Sequence, residues 1–375
     1  MTNVKQLNEH ATRSPEHDQA KLAERSNAGN ATRSNETAPV YVAILTYNGQ
    51  KLLERCGNSF AKQTKSPAGI LIIDNGSSDL NEQQIIHTFS SHAPSFTRIS
   101  KNCGYAKAFN FGLQKVLNQA PWVLTLNNDT ELDPHFFEKL DLVLKSTSQG
   151  VGMFCPKIRS LYERDTIDTT GLIIAFDGMS TARGQYEKDT GQYDGLKKII
   201  APSGVAAIYR SAMLQEIGLF DEDFESYCED TDIGLRGWLA GWDCAFIPEC
   251  VVYHERSATF GKFSLKKLYL VERNHFWVAL KNFPLLLLVF IPYLTLYRYF
   301  LQAVAVFKMK GLGMQYSTAY PTKDLISTTL KALIDASRFS KKFLIYRKGR
   351  IVKRTFFEIL ATFFNYRLKL HKLVF

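Results

Sequence analysis

The chain has 375 residues, of which 45% are hydrophobic, enough for one large mixed domain with an appendage or for two ordinary domains. Its net charge of +10 is uneven, because residues 260–375 hold 21 Lys and Arg against 4 Asp and Glu. The six cysteines include no pair two residues apart and no regular spacing, which argues against a zinc or disulfide framework and favours a reduced, cytosolic setting.

Residues 1–38 are polar and lack the charged, apolar and small-residue pattern of a secretory signal. They contain too little apolar surface to offset the entropy of ordering, so we predict a disordered tail. We divide the remaining chain into a mixed domain over residues 39–260, a helical connector over 261–283, an apolar segment over 284–307 and a basic helical region over 308–375.

From Val40 the chain alternates between short β-branched runs and segments with helical spacing. VYVAILTYN, GILIIDNGSSD and the run at Trp122–Leu126 are predicted strands, with helices between them. This alternation predicts parallel pairing and an α/β sheet. Ligands bind beyond the carboxyl ends of such strands, where Asn48, Asp74 and Asn127 to Asp129 would lie.

Beyond Val151 the pattern loosens into short strands and glycine-containing turns, followed by a helix that opens near Glu229 and a strand over Phe246–Tyr253. After Phe283 an apolar run continues to Phe307 with Arg298 as its only charge. Its length allows a bilayer span, but its two prolines and Arg298 also leave an interfacial or re-entrant segment and a buried core helix open.

Two basic helical segments follow, with apolar residues at helical spacing. They suit an anionic membrane surface, although a solvated face packed on the main domain is the plainer interpretation. We do not expect nucleic-acid binding, since neither a recognised motif nor a stacking-aromatic signature accompanies the charge.

Asp129 follows a predicted strand and is preceded by Asn127 and Asn128. A carboxylate in this position can hold a divalent cation whose other ligands are waters and substrate phosphates. The alternative is a turn in which Asp129 caps a helix beginning near Pro134.

Asp74 and Asp79 bracket a second turn, which either accepts hydrogen bonds from a nucleoside or is an Asx turn without a ligand.

Gly104 stands at a predicted helix start, where exposed N–H groups favour anions. The start of another predicted helix contains three acidic residues, Glu229, Asp230 and Asp232. Acidic residues are favoured at helix N-termini whatever their function, and Asp232 with Arg236 makes an ordinary i, i+4 ion pair. Adjacent carboxylates also raise one another's proton affinity, which suits a general base, and we favour Asp230 for this role.

His254 ends the strand VVYH and is predicted either to bind the cation or a phosphate oxygen, or to be a structural histidine.

Taken together, these motifs resemble the family 2 inverting glycosyltransferases, and within them the bacterial rhamnosyltransferase-like group. The resemblance spans roughly residues 40–282 and depends on the order and spacing of ILTYN, IIDNGSSD, NCGYAKAFNFG, LNND, SGVAAIYR, FDEDFESYCEDTDIGLR and VVYHERS. Asn127 departs from the commoner Asp of the family's metal motif, as it does in rhamnosyltransferase-like members. The Gln-x-x-Arg-Trp signature of processive polymerases is absent, which favours transfer of a single sugar.

The resemblance implies a GT-A fold, a Rossmann-like mixed sheet flanked by helices, here with a C-terminal membrane-associating region. It implies Asp230 as catalytic base, and Asp129 and His254 as ligands of Mg²⁺ or Mn²⁺. The positions expected to bind the nucleotide sugar are Asn48, Asp74, Asp79, Gly104, Asn127, Asn128 and Arg236.

The expected activity is inverting transfer of one sugar, with rhamnose from dTDP-rhamnose favoured, to a saccharide or polyprenyl-diphosphate-saccharide acceptor in cell-envelope polysaccharide synthesis. The expected location is the cytoplasmic face of the plasma membrane. Two alternatives remain open: a non-catalytic nucleotide-sugar-binding scaffold, and a sugar nucleotidyltransferase with a similar metal-carboxylate site.

Overall fold

A computed structural model describes residues 38–256, 264–309 and 311–368 of the chain. The predicted disordered tail lies outside these ranges except for Ala38, which begins the first strand. The strands are β1 Ala38–Thr46, β2 Pro67–Asp74, β3 Ser95–Arg98, β4 Trp122–Asn127, β5 Thr130–Leu132, β6 Val151–Ser160, β7 Ile167–Thr169, β8 Leu172–Ala175, β9 Ser180–Ala182, β10 Ala206–Arg210, β11 Asp243–His254 and β12 Arg367–Leu368.

Helices fill most of the segments between these strands and all of the C-terminal region. They are α1 Gln50–Ala61, α2 Glu82–Thr88, α3 Tyr105–Val116, α4 Phe136–Ser146, α5 Ser211–Ile217, α6 Glu229–Leu239, α7 Leu265–Asn282, α8 Leu285–Leu288, α9 Ile291–Phe307, α10 Gly311–Ala319, α11 Thr322–Gly349 and α12 Phe356–Tyr366. Two short 3₁₀ helices cover Ser90–His92 and Glu222–Phe224.

Nine strands of the described chain form one mixed sheet in the order β3-β2-β1-β4-β10-β6-β11-β5, with β7 paired to β6. β1 to β4 are parallel to their neighbours within this group, as the alternation of strands and helices predicts. β10 is antiparallel to both β4 and β6, so the parallel pairing ends there. A smaller sheet contains β12, β8 and β9.

Side chains alternate across the sheet, so each face builds its own core. Val42 and Ile44 of β1 pack on one face against Leu53 and Phe60 of α1. Ala43 faces the other side, in the core that contains α3, α5 and part of α6. Helices therefore cover both faces of the sheet, and only its strand ends remain open for a ligand.

A third apolar cluster joins the C-terminal helices to the main sheet unit. Trp277 of α7 stacks on Phe343 of α11 with ring centroids 4.5 Å apart, and Phe224 packs against both rings. Trp238 of α6 belongs to the same cluster. The helix that begins with the predicted base therefore shares a core with the C-terminal region.

The apolar run at 283–307 forms two helices, α8 and α9, with a break at residues 289–290. Across residues 38–256, 264–309 and 311–368, we find no helix whose length and apolar character would suffice to cross a membrane.

Candidate active site

A cavity of about 300 Å³ opens at the carboxyl ends of β1 and β4. The loops after β1, β2 and β4, the turn before β10, the start of α6 and the end of β11 all contribute to its wall. The predicted site residues that line it are Gly104, Asn127, Asn128, Asp129, Asp230 and His254. Residues about a hundred positions apart in the sequence thus share one cavity.

Asp129 lies between β4 and β5, and its side chain is buried. One carboxylate oxygen, Oδ2, lies 3.4 Å from Nε2 of His254. The other, Oδ1, is buried and has no hydrogen-bond partner within the described part of the chain. The capping alternative is wrong, because α4 begins at Phe136, with His135 rather than Asp129 at the N-cap position.

His254, the last residue of β11, is held between two carboxylates. Its Nδ1 lies 2.5 Å from Oδ2 of Asp168, while Nε2 faces Asp129. Arg256 contacts the other oxygen of Asp168. Burial alone would lower the pKa of His254, but Asp129, by charge and hydrogen bonding, and Asp168 outweigh it and raise the pKa to about 10.

This arrangement fits a divalent cation that shares its coordination with substrate. The buried, unpartnered Oδ1 of Asp129 is an available ligand. Nε2 of His254 faces the same carboxylate while Nδ1 bonds to Asp168, and a cation bound there would displace the Nε2 proton. No group of three or more His, Cys, Asp or Glu in the described ranges is arranged to hold a metal ion. A cation held by Asp129 and His254 would therefore take its remaining ligands from phosphate and water oxygens.

Asp230 stands in the first turn of α6. Its Oδ2 accepts a hydrogen bond from the Gly204 amide at 2.9 Å, and its Oδ1 accepts one from the Thr231 amide at 2.7 Å. Burial raises the pKa of Asp230, although these amide hydrogen bonds oppose the rise. Oδ1 also accepts a bond from the Thr231 hydroxyl at 3.3 Å, whereas Oδ2 keeps a further lone pair that can accept a proton from a hydroxyl in the cavity.

The neighbouring acidic residues have different environments. Glu229 is buried, its Oε2 has no hydrogen-bond partner among the described residues, and burial together with the charge of Asp230 raises its pKa well above the usual value. Asp232 is also buried, but Lys281 and Arg236 outweigh the effect of burial and lower its pKa to about 2. Burial and the charge of Asp230 thus favour the protonated form of Glu229, whereas Asp232 is a structural anion.

The turn before α6 has an unusual backbone, with positive φ angles of 61° at Glu225, 68° at Tyr227 and 68° at Cys228. The amide nitrogen of the buried Asn274 in α7 donates to the backbone oxygens of Phe224, Ser226 and Tyr227 at 2.8, 3.0 and 2.8 Å. Positive φ is costly for residues with a side chain, and it persists where surrounding contacts enforce it. α7 therefore fixes the approach to Glu229 and Asp230.

Several residues predicted to bind the nucleotide sugar do not line the cavity. The buried Asp74 accepts from the Ser77 amide at 2.9 Å and pairs with Arg98 at 2.6 Å, which is the Asx-turn alternative. The backbone and side chain of Asn48 bond to Ser77 and Ser78, and Asp79 is exposed. Asn75 rather than Asp74 reaches the cavity from this loop.

The structure places Arg236 on another side of α6. Its Nε pairs with Asp232 at 2.8 Å, and its two terminal nitrogens donate to the backbone oxygens of Ile217 and Leu219. The ordinary i, i+4 pair is therefore present, and Arg236 lines a separate surface groove.

Other cavity residues escape sequence reasoning. Tyr105 belongs to an aromatic cluster, as its helical spacing with Phe109 suggests, but its hydroxyl also donates to the Gly204 oxygen at 2.6 Å inside the cavity wall. Tyr227 and Lys267 line the cavity as well. Tyr227 lies within the motif FDEDFESYCEDTDIGLR but is not among the predicted site residues, and no motif marks Lys267. For Asp168 the sequence offers a single indication of a functional role, namely that it is an acidic residue within a short strand.

Comparisons with known proteins agree with this geometry. Residues 41–218 match the family described as Glycosyl transferase family 2. The chain is 24% identical over 246 residues to the N-acetylglucosaminyl-diphospho-decaprenol L-rhamnosyltransferase of Mycobacterium tuberculosis, covering 59% of this chain and 77% of that protein.

Two solved structures share the fold. GalNAc-T7 with UDP, GalNAc and Mn²⁺ matches with a TM-score of 0.51 at 17% identity, covering 72% of this chain and 57% of that one. TarS 1–349 of S. aureus in complex with UDP-GlcNAc matches with a TM-score of 0.50 at 18% identity, covering 83% of this chain and 92% of that one. The chain spans 40% of a longer TarS chain. Residues 41–218 therefore match a glycosyl transferase family 2 domain, and the mixed sheet with flanking helices matches the GT-A fold.

Proposed function

We propose that the protein transfers one sugar from a nucleotide-sugar donor to an acceptor hydroxyl with inversion of configuration. The observation that carries this proposal is the placement of Asp129 and Asp230 in the wall of one cavity. One carboxylate has an unpartnered oxygen for a cation, and the other is a partly desolvated proton acceptor. A donor bound between them would expose its anomeric carbon to the acceptor.

The proposed reaction is a single displacement. Asp230 takes the proton of the acceptor hydroxyl, the oxygen forms a bond to the anomeric carbon, and the bond from that carbon to the diphosphate oxygen breaks. The nucleoside diphosphate leaves with the bonding electron pair. Asp129 and His254 would hold Mg²⁺ or Mn²⁺, which supplies positive charge that stabilises the diphosphate leaving group.

Glu229 has a positioning role in this scheme. Burial and the charge of Asp230 raise its pKa and so favour its protonated form, which would donate a hydrogen bond to a sugar hydroxyl or phosphate oxygen without adding negative charge. Lys267, at the start of α7, adds a cation to the same wall. Both residues favour an anionic, hydroxyl-rich ligand.

For the donor and acceptor we favour dTDP-rhamnose and a polyprenyl-diphosphate saccharide in cell-envelope polysaccharide synthesis, at the cytoplasmic face of the plasma membrane. The support is the relative from Mycobacterium tuberculosis, an N-acetylglucosaminyl-diphospho-decaprenol L-rhamnosyltransferase by name. A donor panel followed by thermal shift, with and without Mn²⁺, tests the choice, because the correct donor raises the melting temperature most.

Replacing Asp230 tests the assignment of the base. Asp230→Asn should reduce transfer at least about a hundredfold, since a general base contributes roughly 10² to 10⁴ in rate. Nucleotide binding should survive. The amide nitrogen of the new side chain would face the amide of Gly204 or Thr231, so the melting temperature and Asp230→Ala are measured alongside.

Asp165→Asn is the matched control, because Asp165 is an exposed carboxylate in a surface pair with Lys188. Near wild-type transfer by Asp230→Asn would remove Asp230 from the mechanism. The released product separates the other candidates: a nucleotidyltransferase releases pyrophosphate, whereas a scaffold binds the nucleotide sugar and turns over no acceptor.

A further inference from the structure

One face of α8 and α9 presents large apolar side chains to the surroundings. We define this outer face by side chains that are between 52% and 71% exposed: Leu286, Val289, Phe290, Tyr293, Leu296, Tyr297 and Phe300. Tyr293, Leu296, Tyr297 and Phe300 lie on one side of α9 by their three- and four-residue spacing, Leu286 lies in α8, and Val289 and Phe290 form the turn between the two helices. With about 150–250 Å² per aromatic side chain, the aromatic members alone expose roughly 300 Å² or more. A patch of this size marks an interaction site.

The opposite side of α9 is fixed to the protein. Ile291, Thr295, Arg298 and Ala305 are buried there. Arg298, which is 1% exposed, forms two bonds of 2.8 Å to Glu272 of α7 and one of 2.7 Å to Asp177. The hydroxyl of Tyr299 also donates to Glu272. These contacts set the rotation of α9 about its axis.

The polarity of α9 is therefore inverted relative to a helix on a water-facing surface. Arg298 is two residues from both Leu296 and Phe300, about 200° around the helix. The only charge of the helix points inward, and its largest apolar groups point outward. Water-facing helices show the reverse arrangement. The outer face consequently matches an apolar surrounding medium.

The charge of the C-terminal region that contains the outer face indicates which apolar medium it fits. Residues 260–375 contain 21 Lys and Arg against 4 Asp and Glu. Exposed cations of the described C-terminal helices include Lys308, Lys323, Lys331, Lys341 and Lys348. Such an excess repels a second copy of the chain but attracts anionic lipid headgroups. Tyr293 and Tyr297 suit the boundary between headgroups and acyl chains, where one end of a tyrosine is apolar and the other wet.

We propose that the outer face of α8 and α9 binds the surface of an anionic bilayer, with its apolar side chains at the level of the upper acyl chains and the lysines over the headgroups. The buried Arg298 contacts keep the opposite side of α9 on the protein, so the helix lies along the surface. This inference depends on no donor or acceptor, although a bilayer-bound enzyme would meet a lipid-linked acceptor directly.

Vesicle co-sedimentation of the full-length chain, without nucleotide or acceptor, tests this inference. Binding is measured with phosphatidylcholine vesicles and with vesicles that also contain phosphatidylglycerol. Wild-type protein should prefer the anionic vesicles and lose part of its binding in salt. The variant Tyr293→Ser, Leu296→Ser, Phe300→Ser should bind at least about a hundredfold more weakly, since each apolar side chain contributes roughly tenfold.

The matched control replaces three exposed apolar residues of the main domain, Ile86→Ser, Phe111→Ser and Leu142→Ser, and should bind like the wild type. Unchanged vesicle binding by the outer-face variant overturns the inference. So does sedimentation equilibrium that shows a dimer in wild type and a monomer in the variant without vesicle binding, because the face would then join two copies.

The melting temperature checks that the variant is folded, and Leu296→Asp alone supplies the same test if the triple variant is not. Because the vesicle assay contains no substrate, a failed transferase proposal leaves its result unaffected. Equally, loss of vesicle binding with retained transfer to a water-soluble acceptor separates the two proposals.

Discussion

Asn274 offers a test of whether α7 positions the proposed base. Its side-chain amide donates to the backbone oxygens of Phe224, Ser226 and Tyr227, and the residue is fully buried. Asn274→Ala removes these bonds and leaves a small void. The turn before α6, with its positive φ angles, then loses the contact that enforces its conformation.

The magnitude follows from the carbonyl groups left without a donor. A buried acceptor that loses its partner costs about 1–3 kcal/mol. The Phe224 oxygen keeps its bonds from the Ser226 amide and from Arg273, so the loss falls on the Ser226 and Tyr227 oxygens and is roughly 3 kcal/mol after partial relaxation of the turn. At about 2–4 °C per kcal/mol for a domain of 150–250 residues, the melting temperature should fall by roughly 6–12 °C. A displacement of Asp230 by about 1 Å can reduce kcat by about 10².

The assays are differential scanning calorimetry and steady-state kinetics with the preferred donor. Asn274→Asp should be worse than Asn274→Ala, because a carboxylate places negative charge against the three carbonyl oxygens. Asn118→Ala, which removes one exposed side-chain contact to Gln215, is the control. Wild-type kcat and melting temperature in Asn274→Ala would refute the positioning role of α7.

Two further predictions concern the charged contacts. Asp168→Asn should weaken Mn²⁺ binding about 10- to 100-fold in titration calorimetry, because the group that orients His254 changes; equal affinity would exclude this role. Burial raises the pKa of Glu272, but Arg298 outweighs it and lowers the pKa from 4.5 to about 2, so the pair stabilises the fold above pH 4.5 and the stabilisation is lost toward pH 2. Glu272→Gln should cost about 3 kcal/mol in urea unfolding at neutral pH and flatten the acid slope; an unchanged slope contradicts this.

The first half of the fold is readable from the sequence, because β1, β2 and β4 are short β-branched runs separated by segments with helical spacing. The antiparallel position of β10 between β4 and β6 cannot be predicted from the sequence in this way. A local pattern indicates that a strand exists but does not specify which strands it pairs with. The division of the chain at residues 260 and 283 stays a prediction, although α7 packs directly on the turn before α6.

The candidate site divides in a similar way. Asp129, Asp230 and His254 meet in one cavity, as their motifs indicate. Arg236 follows Asp230 by six residues, which is about 240° around the helix, and so it faces away. Asp74 turns from the cavity because Arg98, its neighbour on β3, pairs with it across the strands. Such partners are set by tertiary register, which adjacent residues do not encode.

α7 has a practical consequence for protein engineering. At one point along its length Asn274 supports the turn before Asp230, and at another Glu272 receives Arg298 from α9. Truncation at residue 284, or replacement of the C-terminal region by that of a related enzyme, would leave the buried carboxylate of Glu272 without Arg298 and expose Trp277 and Phe283 to solvent. The C-terminal helices therefore cannot be replaced independently of the main domain. A chimaeric protein should take α7, α9 and α11 from the same parent.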